Sequence, residues 1–161
     1  MKIVFIHYHL KTGGVTTVLR QQVETIQESC RVLVLTGTPP ESDFPAETCA
    51  IDGLGYDDPS RKTPAPEDVA NSISETIHSH FGGPCDIVHI HNPTLAKNRS
   101  FLKILSALQQ NGLALFLQIH DFAEDGRPLM YFQEAYPADC HYGVINSRDY
   151  RLMIRAGLKP E

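Results

Sequence analysis

Short apolar segments alternate with longer amphipathic segments along most of the chain. The apolar segments are almost uninterrupted, and they span residues 2–8, 31–37, 86–91, 113–119 and 141–146. Apolar runs of this length without polar alternation are typical of strands that are buried on both faces of a parallel sheet. The pattern therefore predicts five strands inside such a sheet.

The amphipathic segments predict helices at residues 14–29, 67–81, 98–111 and 147–156. The second of them begins after Pro66 and ends before Gly82, which are common residues at a helix start and just past a helix end. Its apolar residues recur at four-residue steps: Val69, Ile73, Ile77 and Phe81. Because strands and helices alternate, we predict an α/β fold: a doubly wound, mostly parallel Rossmann-like sheet with helices on both faces and strand order 3-2-1-4-5-6.

The segment 38–66 departs from this alternation. It contains six of the eleven prolines and several acidic residues, and it has at most a short edge strand near residues 47–51. Long segments without regular structure are often functional. We expect a long surface loop here.

The length and composition narrow the class of protein. A chain of 161 residues suits a single Rossmann-like domain that spans residues 1–161, and its formal charge of −5 disfavours a general nucleic-acid binder. The longest apolar run, residues 113–117, has the length of a strand and not of a transmembrane segment, and the N-terminus resembles a first strand and not a signal peptide. The cysteines form no CxxC pair, so we expect reduced thiols in a cytoplasmic protein. These cysteines are Cys30, Cys49, Cys85 and Cys140.

Polar side chains collect at the carboxyl ends of the predicted strands, where parallel sheets bind ligands. Five of the eight histidines lie there: His7, His9, His89, His91 and His120. We predict that a cleft rim at this edge includes His9, Lys11, Thr12, His91, Asn92, Asp121, Asn146 and Ser147.

The pair Gly13-Gly14 lies where the first strand turns into the first helix. Glycines allow a sharp turn and a close approach of a ligand to the backbone, and the N-terminus of the following helix favours an anion. A plain tight turn without a ligand is the alternative. The motifs G-x-G-x-x-G and G-K-[S/T] are both absent, so neither a dinucleotide fingerprint nor a P-loop is present.

Two other kinds of site have weaker support. Each of the two H-x-H pairs places its histidines on one face of a strand, which could suggest a metal. Few carboxylates accompany them, with Asp121 as the main candidate, so we predict no metal site. Ser-His-Asp catalysis lacks the G-x-S-x-G motif, and Ser147 has the position of a helix cap.

The order of these motifs resembles a known family. Residues 11–18 open a helix after the first strand, residues 86–91 form a later strand, and Ile119-His120-Asp121, Asn146-Ser147 and residues 156–158 follow. This order is similar to that of the N-terminal domain of retaining glycosyltransferases with two Rossmann-like domains, the GT-B fold. The resemblance covers nearly the whole chain.

The resemblance implies transfer of a sugar from a nucleotide-sugar donor to an acceptor, with retention at the anomeric carbon and usually without a metal. In this family the N-terminal domain mostly holds the acceptor. Its first glycine-rich loop approaches the donor diphosphate, a role that would belong to Gly13 and Gly14. The histidine after the fourth long strand faces the donor sugar near the reaction centre, which would make His120 the catalytic candidate. The nucleobase, the sugar and the acceptor stay open.

The family's donor-binding half has no counterpart in these residues. The resemblance implies a C-terminal domain as a partner, so we expect the chain alone to be inactive and its exposed cleft wall to allow self-association. Two alternatives remain. One is a ligand-binding or regulatory α/β module, although histidines stand where a receiver module would need acids. The other is a metal-dependent hydrolase that uses the histidine-rich rim.

Overall fold

The computed structural model describes residues 1–41, 43–122 and 128–159. It contains six strands: β1 (Lys2–His7), β2 (Arg31–Thr36), β3 (Glu47–Ala50), β4 (Ile87–His91), β5 (Leu115–Ile119) and β6 (His141–Val144). They form one sheet in the order β3-β2-β1-β4-β5-β6, and every neighbouring pair is parallel. The predicted fold class and strand order are confirmed, with the short edge strand as the third strand.

Four α-helices of the described residues accompany the sheet: α1 (Gly14–Ile26), α2 (Pro66–Phe81), α3 (Phe101–Gln110) and α4 (Ser147–Arg155). A short 3-10 helix spans Pro128–Met130. Helix α1 ends earlier than predicted because the backbone amides of Ser29 and Cys30 both turn back to the Ile26 carbonyl. Helix α3 begins later than predicted because the Asn98 side chain accepts from the Ser100 amide at 3.0 Å and forms a turn before the helix. None of the described helices is long and apolar enough to span a membrane.

The helices cover both faces of the sheet, as predicted. Successive residues of a strand point to opposite faces, so Phe5 packs with Leu19 and Val23 of α1, while Val4 and Ile6 face the other side. On that other side α2 and α3 complete a larger core. Complete burial of one such apolar side chain stabilises the fold by about 1.5–3 kcal/mol.

The segment 38–66 is not only a surface loop, and this part of the prediction was wrong. Ile51 and Leu54 are buried, and both belong to the core beneath α2 and α3. The positive φ of Gly53 (83°) turns the chain inward, and the backbones of Gly37 and Gly55 lie in direct contact, so that a Cβ on Gly37 would overlap Gly55. The contact between Gly37, just after β2, and Gly55, which follows the buried Leu54, therefore attaches this segment to the end of β2.

Candidate functional site

The N-terminus of α1 is open. Gly13 has an extended backbone, and no side chain of the described residues caps the helix. Residues 11–14 are exposed, and the position that a Cβ on Gly14 would take has no described atom within 4 Å. The first amides of a helix lack partners inside the helix and carry its positive dipole end. This end of α1 can therefore receive an anion.

Two threonines hold the loop before α1 in place. The Thr16 hydroxyl donates to the Lys11 carbonyl at 2.7 Å, and the amide and hydroxyl of Thr17 both donate to the Gly13 carbonyl at 3.0 Å. The Lys11 ammonium lies 3.8 Å from a Glu41 carboxylate oxygen, with both side chains exposed. Such an exposed pair contributes little to stability, so Lys11 can exchange Glu41 for a ligand. Thr12 is exposed in the same loop.

The five histidines of this sheet edge contact one another in a row. The His91 ring stacks on His89 at 4.7 Å between centroids, and its edge meets the edge of His120 at 5.2 Å between centroids. His7 lies edge-on to His91 at 6.4 Å and to His9 at 5.4 Å. We call these five residues the histidine row; it joins the carboxyl ends of β1, β4 and β5.

Hydrogen bonds define which atoms of the histidine row face which partners. Nδ1 of His91 lies 3.0 Å from Nε2 of His120. Nε2 of His89 lies 2.8 Å from Oε1 of Gln118, which also accepts from the Gln22 amide at 2.9 Å, so His89 is the donor. These contacts satisfy one ring nitrogen each of His89, His91 and His120, whereas Nδ1 of His7, Nδ1 of His9 and Nε2 of His91 are buried without a partner among the described residues.

Burial keeps the histidine row neutral near pH 7. Removal from water is the main cause that lowers the pKa of His7 and of His89 to about 4 and that of His91 to about 2. Burial also lowers the pKa of His9 and of His120, and Asp121 partly opposes the shift of His120. Each ring therefore offers one donor and one acceptor. Among the described residues, no group of three or more His, Cys, Asp or Glu side chains is arranged to hold a metal.

Asn92 connects the ends of β4 and β5. Its side-chain amide donates to Asp121 at 3.0 Å, and its Oδ1 accepts from the His120 backbone amide at 3.3 Å. Asn92 and His91 are almost completely buried, at 1% and 0% exposure. The structure corrects their predicted place on the rim: they lie beneath it and support His120 and Asp121, which are half-buried.

A cleft of about 230 Å³ lies between the end of β1 and residues 52–64. His9 and Tyr56 form part of its wall, with Nε2 of His9 3.2 Å from the Tyr56 hydroxyl. Asp52 and Arg61 pair across it at 2.8 Å, and Lys11 lines its edge beside α1. The cleft therefore adjoins the open helix N-terminus and offers both charged and aromatic groups.

Asn146 and Ser147, which were predicted at the rim, form the start of α4. Asn146 caps the helix: its Oδ1 accepts from the Asp149 amide at 2.9 Å, and its side-chain amide donates to the Asp149 carboxylate at 2.6 Å. Ser147 is the first helical residue and is exposed, so the cap predicted at Ser147 belongs to Asn146. Both lie one strand beyond His120, farther from the cleft than Lys11 and His9.

Three residues that shape the site were missed by the sequence analysis. Tyr56 forms the cleft wall, buried Tyr8 supports it at 5.2 Å between ring centroids, and the Asn98 amide donates to the carbonyls of Gly53 and Gly55 at 2.7 and 2.9 Å. The pattern Gly-Leu-Gly before Tyr56 is the signal that could have indicated a compact turn there.

Comparisons with known proteins identify one curated relative. No family model matches the chain. Mannosylglucosyl-3-phosphoglycerate synthase of Petrotoga mobilis, a glycosyltransferase, is 24% identical over 96% of this chain. The chain spans about a third of that relative's length, 34%.

Several solved structures share the general arrangement at low scores. MurG of Acinetobacter baumannii has a TM-score of 0.49 and 14% identity, with 89% of this chain and 45% of that chain covered. A variant of Os79 from O. sativa in complex with UDP has a TM-score of 0.47 and 16% identity, with 76% and 29% covered. A short-chain dehydrogenase/reductase of Burkholderia vietnamiensis has a TM-score of 0.45 and 12% identity, with 98% and 92% covered.

TM-scores below 0.5 do not separate glycosyltransferases from other proteins with parallel sheets. The sequence match is more informative because it extends over almost the whole chain. The predicted resemblance of this chain to a glycosyltransferase is therefore confirmed.

Proposed function

We propose that the chain forms the acceptor-side half of a glycosyltransferase that moves a sugar from a nucleotide-sugar donor to an acceptor with retention. One observation carries this proposal: the open N-terminus of α1, the half-buried His120 and the polar cleft share one edge of the sheet. A departing nucleoside diphosphate gains negative charge, and preorganised backbone amides stabilise such charge. Gly13 and Gly14 fit that role.

His120 is the candidate for contact with the donor sugar. Its ring is half-buried and neutral near pH 7, because burial lowers its pKa. A neutral imidazole can exchange a hydrogen bond with a sugar hydroxyl or with a group that gains charge. His91 and Asn92 hold it from below through one hydrogen bond each. The contact with His91 favours a fixed orientation of the His120 ring, and the bond from Asn92 fixes the backbone at His120.

The cleft beside Tyr56 is the proposed acceptor site. Its lining combines the half-exposed ring of Tyr56 with carboxylates, an arginine and lysines. These groups can bind several hydroxyls of a small polar acceptor, and an aromatic face can cover its apolar side. Residues 52–64 would then determine which acceptor is used.

Transfer also needs a donor-binding half, which in this family is the second domain. We propose that such a domain is the partner of the edge formed by α1 and His120, and that the 161-residue chain alone is catalytically silent. The length of the Petrotoga relative supports this, because the chain spans about a third of it. Turnover of a nucleotide sugar by the purified chain, above that of a His120→Ala variant, would contradict this part of the proposal.

The diphosphate site can be tested on the chain as it stands. We expect titration with inorganic pyrophosphate to shift the amide NMR signals of residues 13–16 more than any others. The Gly14→Val variant should fold normally, since open space surrounds that position, yet bind pyrophosphate more weakly. Equal binding by both proteins, or no shift at residues 13–16, would show that Gly13-Gly14 is only a turn.

A further inference from the structure

The two ring nitrogens of His91 have very different surroundings. Nδ1 forms the 3.0 Å contact with Nε2 of His120. Nε2 is buried, and no hydrogen-bonding group of the described residues lies within reach of it. One nitrogen of this neutral ring carries a proton and the other does not, so the surroundings decide which.

Only two arrangements of protons fit the contact between the two neutral rings. In the first, Nδ1–H of His91 donates to Nε2 of His120, and Nε2 of His91 is a bare acceptor. In the second, Nε2–H of His120 donates to Nδ1 of His91, and Nε2–H of His91 is a buried donor without an acceptor. Buried N–H groups without partners are rarer in proteins than acceptors without partners. The first arrangement is therefore favoured.

The His91 ring is also held against rotation. His89 stacks on its face with an interplanar angle of 10°, and His120 meets its Nδ1 edge with the two ring planes 27° apart. His89 is itself fixed through Gln118 to Gln22 of α1. The orientation of His91 thus depends on contacts on the face of the sheet that α1 covers.

From these contacts we propose that His91 is a positioning residue that determines the tautomer of His120. Because Nε2 of His120 accepts from His91, the single proton of the neutral His120 ring lies on Nδ1. His120 then presents an N–H donor to a ligand at the rim, and not a lone pair. The role of that donor toward the sugar rests on the proposed function, but the tautomer itself does not.

The tautomer can be read directly from the nitrogen signals of histidine-labelled protein by long-range ¹H–¹⁵N NMR. We expect His120 in the unmodified chain to show a protonated Nδ1 and an unprotonated Nε2. His91→Phe keeps an aromatic ring in the stack and removes the donor, so His120 should move toward the Nε2–H tautomer. His91→Asn places a side-chain N–H close to the position of Nδ1 and should restore the Nδ1–H tautomer.

His89→Phe is the matched control, because it changes the ring on the other side of His91 without touching the contact with His120. It should leave the His120 tautomer unchanged. An Nε2–H or mixed tautomer in the unmodified chain overturns the proposal whether or not the variants fold. An unchanged Nδ1–H tautomer in folded His91→Phe overturns it as well. Failure of pyrophosphate to bind would affect only the proposed function, so the two failures are distinguishable.

Discussion

Asn92 combines burial with an unusual backbone conformation. Its φ is 54°, in the left-handed region, which asparagine tolerates better than most residues. This conformation turns the chain sharply at the end of β4 and directs the side chain to the His120 amide and the Asp121 carboxylate. One residue thus joins the ends of two strands on which the candidate site depends.

Two substitutions of Asn92 should separate what its backbone conformation and its side chain each contribute to the free energy of unfolding. Asn92→Gly accommodates the positive φ but loses the side-chain hydrogen bonds with Asp121, the His120 amide and the Thr94 hydroxyl, so we expect a loss of about 1–3 kcal/mol in the free energy of unfolding. Asn92→Ala should lose about 1–2 kcal/mol more, because alanine is strained in the left-handed region. Urea unfolding of both variants measures this difference. Equal stabilities would show that the backbone conformation relaxes without cost.

The catalytic prediction concerns His120 in an enzyme that includes the donor-binding half. If His120 contacts the sugar mainly in the transition state, His120→Ala should lower kcat and kcat/KM together by about 10²–10³. It should also lower the free energy of unfolding by about 1–3 kcal/mol, because buried His91 loses its hydrogen-bond partner. Steady-state kinetics and a melting curve test this. A lower Tm with normal specific activity would instead assign His120 a structural role.

At the scale of elements, the attachment of residues 51–56 to the end of β2 shapes the cleft. The contact between the backbones of Gly37 and Gly55 leaves no room for a side chain on Gly37, whereas a Cβ on Gly55 would meet neighbours only at 3.5 Å or more. Asn98, just before α3, holds the same turn from the other side. The cleft wall is therefore fixed by contacts on both of its sides.

Gly37→Ala and Gly55→Ala form a matched pair that tests this attachment. We expect Gly37→Ala to push the turn outward, remove Leu54 from the core and cost more than about 2 kcal/mol. Gly55→Ala adds the same methyl group at ordinary van der Waals distance and should change stability by less than about 1 kcal/mol. Thermal unfolding gives the comparison, and similar effects of the two substitutions would contradict a close backbone contact.

At the scale of the whole molecule, the buried histidines make folding sensitive to acid. His7 and His89 have a pKa of about 4 in the folded state, against about 6.5 in an unfolded chain, because burial disfavours the charged ring. Below pH 6.5 the unfolded chain binds more protons, so the free energy of unfolding falls as the pH falls toward 4. Each such histidine contributes up to about 1.4 kcal/mol per pH unit in this range.

Urea unfolding at several pH values between 7 and 4.5, roughly the window set by those pKa values, checks this prediction. His7→Phe should reduce the slope of stability against pH by close to the contribution of one histidine. A wild-type protein that becomes more stable on acidification would contradict the burial of neutral histidines.

The sheet was predictable because continuous apolar runs reveal buried strands and because crossover handedness limits their order. The burial of individual side chains at the strand ends was harder to predict. His91 and His120 both stand at strand ends, and only the neighbouring strand, 29 residues away along the chain, decides which of them is covered. The cleft wall at Tyr56 was missed because its segment has no periodicity, and its position depends on Gly37 and Asn98, which are distant in sequence.

The central place of β1 has a consequence for biosynthesis. β1 pairs with β2 on one side, but its partner on the other side, β4, is complete only at His91. At ordinary translation rates, the stretch between β2 and the end of β4 takes about 3–10 s to emerge. During that interval an apolar strand with an open backbone edge is exposed outside the ribosome, and such edges pair readily with other chains. The nascent chain should therefore be more prone to association with other chains during this interval than the finished domain is.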